Sequence, residues 1–550
     1  MNPDLLARVG QLAFGEWNDH VVNLLQFGIA ATALVVVTWG YWLQRTNRAH
    51  LKRLEHRLLL ALGLAAGLAY FNFGQFHFGR VIHMWDTYHY YVGAKYFPEL
   101  GYDRLYHCAI VADAEDARTP AEAKEIDERV IRDLRTNVIV AARDVLKYPG
   151  ACKQRFTEGR WQEFKGDVRF FRSRVPTSIW RDIHKDHGFN ATPVWTSLGR
   201  SLANTGPATI QQITLLWCLD PVYLALTALI VWWAFGPGAL AVGLIMLGTN
   251  YPNRYYWTGG AYLRYDWLFY LVAVVCLLKR KKFSLAGAAL AYSTLLRLFP
   301  GFLLLGPLAA GIELYRRRGG VTTSGAQARF KDRIDPDFVR FVAGGAAATV
   351  VLVLLSVVFL GGAGTWGRFA DNTVKHAATP LLNHMGLPTI LSYRPADTAA
   401  HTFDATLMDR SSKWREKRRA NGNQLEPAFW LAMIACCMSI YLAVRQTRGE
   451  LWVSAALGAG MIAFAGELTC YYYCFLVAMA PLNEKRREVG IALIALAAAT
   501  QLIALTGITG QNEDVVNEDV VYVAMSVLTL LAIAGIWWMI AARTQPRSYG

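Results

Sequence analysis

The stretch His83–Tyr106, HMWDTYHYYVGAKYFPELGYDRLY, sets one carboxylate, Asp86, among aromatic rings shortly after an apolar run that ends at Phe73. A carboxylate on the water side of a membrane exit, surrounded by apolar rings, is a candidate general base, because burial raises its affinity for a proton. The plainer reading is that it solvates the end of a membrane helix. Other ionisable residues adjoin apolar runs further along: His89, Arg264, Asp266, Arg297, His376, His384 and Glu467. Arg297 stands inside LLRLFPGFLLL, next to Pro300. An arginine at that depth is costly unless it meets an anion, and a guanidinium fits phosphate oxygens through paired hydrogen bonds. Snorkelling, or pairing with Asp266 or Glu467, is the alternative. A phosphate clamp at lipid depth beside an acid points to group transfer from a lipid-linked phosphate. The carboxylate would take the proton of an acceptor hydroxyl as that oxygen attacks the anomeric carbon, while the phosphate leaves on the arginine. A direct displacement of this kind inverts the anomeric centre.

The elements that must position these residues follow from composition and charge. Of 550 residues, 54% are hydrophobic and 13% aromatic, and the mean hydropathy is +0.23, which indicates a polytopic membrane protein. The net charge of +15 does not indicate nucleic acid, since Lys and Arg sit in short runs beside apolar stretches, as membrane orientation requires. The first apolar run, Val21–Leu43, is long enough to span, so no cleaved signal peptide is expected. Arg45, Arg48, Lys52, Arg53 and Arg57 follow it and place its end in the cytoplasm, with the N-terminus outside. Further crossings are expected at about 58–73, 210–235, 238–256, 265–278, two short ones meeting at Arg297–Pro300 within 283–314, then 341–361, 428–444, 450–466, 468–482, 489–508 and 520–541. That makes 12 or 13 spans, a cytoplasmic C-terminus near Arg543 and Arg547, and a basic linker before Arg340. The chain divides into an extra first span with its basic loop (1–57), a core (58–508) with a large external loop (74–209) and a second one (362–427), and a last span with its tail (509–550).

Within the large loop, apolar residues at Ile126, Val130, Ile131, Leu134, Val138 and Ala141 recur at spacings of three and four, which predicts one amphipathic helix over Asp113–Lys147. Cys108 and Cys152 flank it and are the only cysteines of the loop, so in an oxidising compartment they are candidates for a disulfide; two small core residues are the alternative. The segment RDIHKDHGFN offers Asp182, His184 and His187 as a metal cluster, but three such residues on a polar loop are more often solvated, so no metal and no cofactor is expected. In the second loop, SSKWREKRRANG is basic yet external; it either meets lipid phosphate or forms a solvated face, and the solvated face is expected.

These residues resemble the motifs of the polytopic GT-C glycosyltransferases, and among them glycosyltransferase family 87, which includes polyprenyl-phosphate-mannose-dependent mannosyltransferases. DTYHYYVGAKYFPELGYDRLY is similar to that family's first external loop. LLRLFPGFLLL is similar to its Lys-x-x-Pro motif with Arg297 in place of lysine, NHMGL to its Asn-Gln-Ser motif, and GELTCYYYCFLVAMAPL to its late Ser-Pro-x-x-Trp-x-His segment. The resemblance implies an all-α GT-C bundle and transfer of a mannose-like hexose from a polyprenyl-phosphate donor to a lipid or glycan acceptor, on the extracytoplasmic face of a bacterial-type inner membrane. It implies Asp86 as base and Arg297 as a ligand of the donor phosphate, with Asn383 or His384 in the sugar and acceptor site. Arg264 joins the phosphate ligands, and Tyr88, His89, His376 and Glu467 the sugar and acceptor site, by their external placement. Tyrosines stand where the family has its late histidine, and Glu467 near the family's serine. A transporter or flippase of a lipid-linked sugar is the competing class; it would show internal repeats, and none is evident between the two halves.

Overall fold

The structure, a computed structural model, describes residues 17–46, 51–319, 333–506 and 518–542. Arg48, most of the basic linker before Arg340, and Arg543 and Arg547 lie outside the described residues. Helix α1 (Asp19–Arg45) starts where the Asn18 side chain accepts the Val21 amide hydrogen, and α2 (Lys52–Tyr70) returns against it. Inside the pair, Gln26 Nε2 donates to the Ala69 carbonyl at 3.0 Å. That bond satisfies a polar side chain that hydrocarbon would leave unpaired. Beyond Tyr70 the chain turns through Asn72, Phe73, Phe76 and Phe78, all at positive φ, and enters the large loop.

The loop holds α3 (Met84–Lys95), α4 (Leu105–Glu115), α5 (Pro120–Asp127), strands β1 (Val130–Asp133) and β2 (Val138–Ala141), α6 (Glu158–Arg172) and α7 (Pro193–Ala203). The single helix expected over Asp113–Lys147 is therefore corrected to the end of α4, then α5, an antiparallel hairpin with Ile131 opposite Val140, and a short helix at Ala142–Leu146. The physical reasons are local. Thr119 caps a new helix at Pro120, β-branched residues fill 138–140, and Asn137 takes the left-handed turn conformation at φ 60°. Ile126, Ile131 and Leu134 are buried as the spacing suggested, while Val138 is 56% exposed. The Cys108–Cys152 disulfide, with Cα atoms 5.4 Å apart, ties α4 to the chain after the hairpin. Buried Lys95 joins α3 to α6 through Asp167 at 2.7 Å.

Four apolar elements follow: α8 (Ile210–Phe235), α9 (Pro237–Thr249), α10 (Asp266–Lys279) and α11 (Phe283–Leu296). Arg297 is extended (φ −144°, ψ 124°) and ends α11; a 3₁₀ turn at Phe299–Leu304 then leads into α12 (Leu305–Arg318). The break expected at Arg297–Pro300 is thus present. Helix α13 (Pro336–Phe359) packs along α11. The second loop contains α14 (Gly364–Ala377), β3 (His384–Met385) and α15 (Ser412–Gln424), and is followed by α16 (Glu426–Gln446), α17 (Leu451–Ala465) and β4 (Leu468–Thr469). Strand β4 pairs antiparallel with β3, His384 facing Thr469. Cys470–Glu484 is a 3₁₀ helix of 15 residues. At a rise of about 2 Å per residue it covers about 30 Å, the hydrocarbon thickness that an α-helix needs about 20 residues to cross. Helices α18 (Arg487–Leu505) and α19 (Glu518–Ala541) close the bundle, and α1 lies against α18, where Gln501 Nε2 donates to Gln26 Oε1 at 2.8 Å.

Among the described residues, six helices are long and apolar enough to cross a membrane: α1, α8, α13, α16, α18 and α19. On α13, Val350, Leu354 and Val358 are 58%, 58% and 78% exposed. A stripe of that kind has no stable place in water. The molecule is an all-α membrane protein with a folded loop domain.

Candidate functional site

The site begins with the periodicity of α3. His83 caps this helix by accepting the Asp86 amide hydrogen at Nδ1 (3.2 Å), and its own amide donates to the Gly260 carbonyl at 2.9 Å. Gly260 is at φ 87°, and a Cβ there would lie 2.3 Å from the Val81 carbonyl oxygen, so this approach requires glycine. Spacings of three and four put Asp86, His89 and Tyr90 on one face, lining a cavity. Tyr88, two positions on from Asp86, points elsewhere. It is fully buried in the loop domain, stacks edge-on against Trp180, and its hydroxyl lies 3.3 Å from His184 Nε2. The expectation that Tyr88 touches sugar is corrected accordingly.

Two arginines converge on that face from the bundle. The amides of Arg264 and Tyr265 donate to Asp220 Oδ1 of α8 at 2.8 and 3.4 Å, which fixes the segment before α10. Arg264 Nε then stands 3.0 Å from Asp86 Oδ2. The contact is one of charge, since Asp86 Oδ2 has no aligned hydrogen-bond donor. The guanidinium carbons of Arg264 and Arg297 lie 4.4 and 5.3 Å from the centre of the same Tyr90 ring, whose hydroxyl donates to Asn190 Oδ1 at 2.8 Å. Both arginines are nearly sealed, at 5% and 6% exposure, yet Arg264 Nη1 and Arg297 Nε and Nη2 have no hydrogen-bond partner. Among the described residues Arg297 makes no ion pair with Asp266 or Glu467. Asp266 Oδ1 accepts the Trp267 amide at 2.8 Å, and Glu467 meets Arg418 at 3.3 Å. Buried guanidinium N–H groups without hydrogen-bond partners are costly unless an anion meets them.

The sequence reading missed a second carboxylate, Asp186. It accepts from Trp85 Nε1 at 2.6 Å and from the His187 amide at 2.8 Å, and His89 Nδ1 is 3.9 Å away. Gly188, at φ 66° and with Leu134 Cδ1 2.5 Å from where a Cβ would stand, makes the turn that follows Asp186 and His187. Burial raises the proton affinity of Asp86 above the ordinary aspartate range, and Arg264 and His89 only partly oppose it. Burial acts on Asp186 in the same sense. There, however, His89, His187, the Trp85 indole and the His187 amide outweigh it, so Asp186 is held below the ordinary range. Carboxylates whose proton affinities are driven apart are suited to different roles. The RDIHKDHGFN motif carried a signal, but it drew attention to Asp182, His184 and His187 instead. His184 is buried against Trp180, Asp182 pairs with Lys185 at 2.8 Å, and among the described residues no group of three His, Cys, Asp or Glu is arranged to hold a metal ion.

Two connected chambers result. The inner one, about 140 Å³, is lined by Asp86, His89, Tyr90, Asn190, Arg264, His376, His384 and Tyr472. The outer one, about 580 Å³, is lined by Trp85, Arg132, Tyr256, Trp257, Asn383, Trp414 and Arg415. Asp86, Asp186, His187, Leu381, Thr469 and Tyr471 line both and form the neck. His376 thus reaches the inner chamber, its ring 5.6 Å from His187. Asn383 lines the outer chamber, and its carbonyl accepts the Cys470 amide at 2.9 Å. Glu467 lies behind the wall. It accepts from Thr389 Oγ1 at 3.1 Å and stands 3.7 Å from His384 Nδ1. Burial pushes its carboxyl up, but His384, Arg418 and Thr389 together hold it at about 2, so it is a supporting anion and not a lining one.

The basic run of the second loop forms α15, which has the expected solvated face, with Lys413, Glu416, Lys417 and Arg419 exposed, and also an inner face with Trp414 and Arg418 buried. Lys413 and Lys417 pair with Asp404 and Asp397, each at 2.6 Å, Arg415 with Asp409, and Arg418 with Glu467. Trp414 is buried and donates to Asp519 Oδ2 at 3.0 Å. The helix is a strap, pinned by ion pairs, that closes one side of the outer chamber. No family model, no curated protein and no solved structure matches the chain.

Proposed function

We propose that the protein is a membrane glycosyltransferase of the GT-C type, resembling family 87, which moves a mannose-like hexose from a polyprenyl phosphate to an acceptor hydroxyl by inverting displacement. One observation carries this reading: buried Arg264, with Nη1 unpartnered, lines the inner chamber against Asp86, and Arg297, with Nε and Nη2 unpartnered, shares the Tyr90 ring with it just behind that wall. The phosphate of the donor supplies the missing anion. Asp86, with its raised proton affinity, takes the acceptor proton as the C–O bond to the anomeric carbon forms. The bond from that carbon to the phosphate oxygen breaks, and the negative charge that grows on the leaving phosphate is met by the two guanidinium groups. His89, His376, Asn383 and His384 surround the sugar and acceptor. The bundle crosses a bacterial-type inner membrane 12 or 13 times, with the N-terminus and both loops outside and the C-terminus in the cytoplasm. The second cysteine pair member, Cys152, sits in that oxidising compartment bonded to Cys108.

The test is transfer by purified protein in vesicles supplied with a radiolabelled polyprenyl-phosphate hexose and extracted envelope lipids and glycans. The expected result is a glycosylated acceptor of inverted anomeric configuration. Movement of the lipid-linked sugar across the vesicle membrane with no transfer would overturn the reading in favour of a flippase.

A further inference from the structure

The reaction as proposed gives no role to Asp186, although the fold sets two donors on it. Its side chain is 37% accessible, while His89 beside it is 2% accessible, so the carboxylate opens to the cavity and is not packed away. The Trp85 indole and the His187 amide fix its orientation and occupy part of its acceptor capacity. A carboxylate offers about four lone-pair positions, so positions remain that point at whatever fills the neck. We propose that Asp186 is a specificity-determining residue, whose fixed carboxylate accepts hydrogen bonds from the hydroxyls of an uncharged transferred sugar and rejects a sugar bearing its own carboxylate. This inference rests on the transferase reading and adds the charge class of the sugar.

The charge balance at the neck supports it. Arg264 is engaged with Asp86, and Arg297 is held over Tyr90 on the bundle side. Toward the loop domain, Arg132 is turned to the Lys185 and Asn137 carbonyls, at 2.7 and 2.6 Å, and Arg415 pairs with Asp409. The histidines His83, His89, His187 and His376, which face the cavity, are held below the ordinary imidazole range, chiefly by burial. A uronic acid would bring a third carboxylate up to Asp86 and Asp186, and the like charges would repel, whereas a hydroxyl donates to Asp186 in a charge-assisted bond. The charge of Asp186 also reaches Asp86, raising its proton affinity alongside burial and against Arg264, His89 and Arg297.

The experiment uses the full chain in vesicles with two donors, a polyprenyl-phosphate hexose and the corresponding uronate, for wild type and Asp186→Asn. The expected wild-type preference for the hexose, in kcat/KM, is at least 100-fold. Asp186→Asn should lower that preference at least tenfold and move the acidic limb of the pH profile to lower pH. An equal loss with both donors and an unmoved limb mark a merely structural residue and overturn the proposal. A binding arm needs no turnover: calorimetric titration of methyl mannoside against methyl glucuronide. Wild type should bind the neutral glycoside at least tenfold more tightly, and the variant should not. Equal binding of the two by wild type overturns the role of Asp186 whether or not transfer occurs, while absence of transfer with this preference intact counts against the transferase reading alone.

Discussion

At the scale of single residues, Asp86 and Arg297 should fail in different ways. Asp86→Asn keeps the shape and removes the proton acceptor, so transfer should fall by about 10²–10⁴-fold while donor binding persists. Because the unprotonated form is the active one and burial raises the proton affinity of Asp86, wild-type kcat/KM should decline as pH falls through a value above the ordinary aspartate range. A profile flat down to the ordinary range would remove Asp86 as the base. Arg297→Ala should instead weaken donor binding, by about 2–5 kcal/mol if the phosphate contact is well desolvated, with its main effect on KM. A mutant with normal KM and low kcat would place the phosphate elsewhere.

At the scale of elements, the cavity depends on α3 being held still. Lys95 anchors it to Asp167 and Glu163 on α6, at 2.7 and 2.8 Å. Asp167→Ala strands a buried ammonium and should destabilise the loop domain by about 3–5 kcal/mol, less whatever the more exposed Glu163 restores. Joint replacement, Lys95→Met with Asp167→Leu, should recover much of that stability, and thermal unfolding of the purified protein would decide. The disulfide acts on a longer stretch, closing a separation of 44 residues that contains the hairpin. Cys108→Ser should cost about 2–5 kcal/mol, chiefly by freeing the unfolded chain, and a reductant should reproduce the loss in wild type but add nothing in the variant. An unchanged melting temperature would mean that the hairpin is held by its packing alone.

At the scale of the whole molecule, the proposed topology sets a membrane crossing between the loop domain and the turn that joins α10 to α11. With exposed Cys218 and Cys437 replaced by serine, Lys124→Cys and Lys282→Cys should label from opposite sides of sealed vesicles. Labelling of both from one side would break the proposed topology and the reaction built on it. The all-α membrane class was legible in the sequence, because a long apolar run in lipid has one way to satisfy its backbone, the helix; of the 12 or 13 expected spans, six are long, apolar helices among the described residues. The break at Arg297–Pro300 was legible for a similar reason, since proline cannot continue a hydrogen-bonded turn. Asp86 drew notice as an acid among rings, and Cys108 and Cys152 as the only cysteines of a polar loop. What the sequence could not settle was which groups meet. Arg264 reaches Asp86, Asp186 takes the Trp85 indole, and Arg418 of α15 finds Glu467, all across long separations in the chain. The hairpin mimicked a helix because buried residues can recur at intervals of three and four across a turn as well as along a helix. Tyr88 was misplaced because side-chain direction depends on the phase of a helix against its neighbours. Local chemistry fixes which segments enter the membrane and where they break, since those energies come from residues and their immediate neighbours. The partners of a buried charge are fixed only when distant segments pack, since a charge taken out of water is stabilised by whatever the tertiary fold brings within a few ångströms of it.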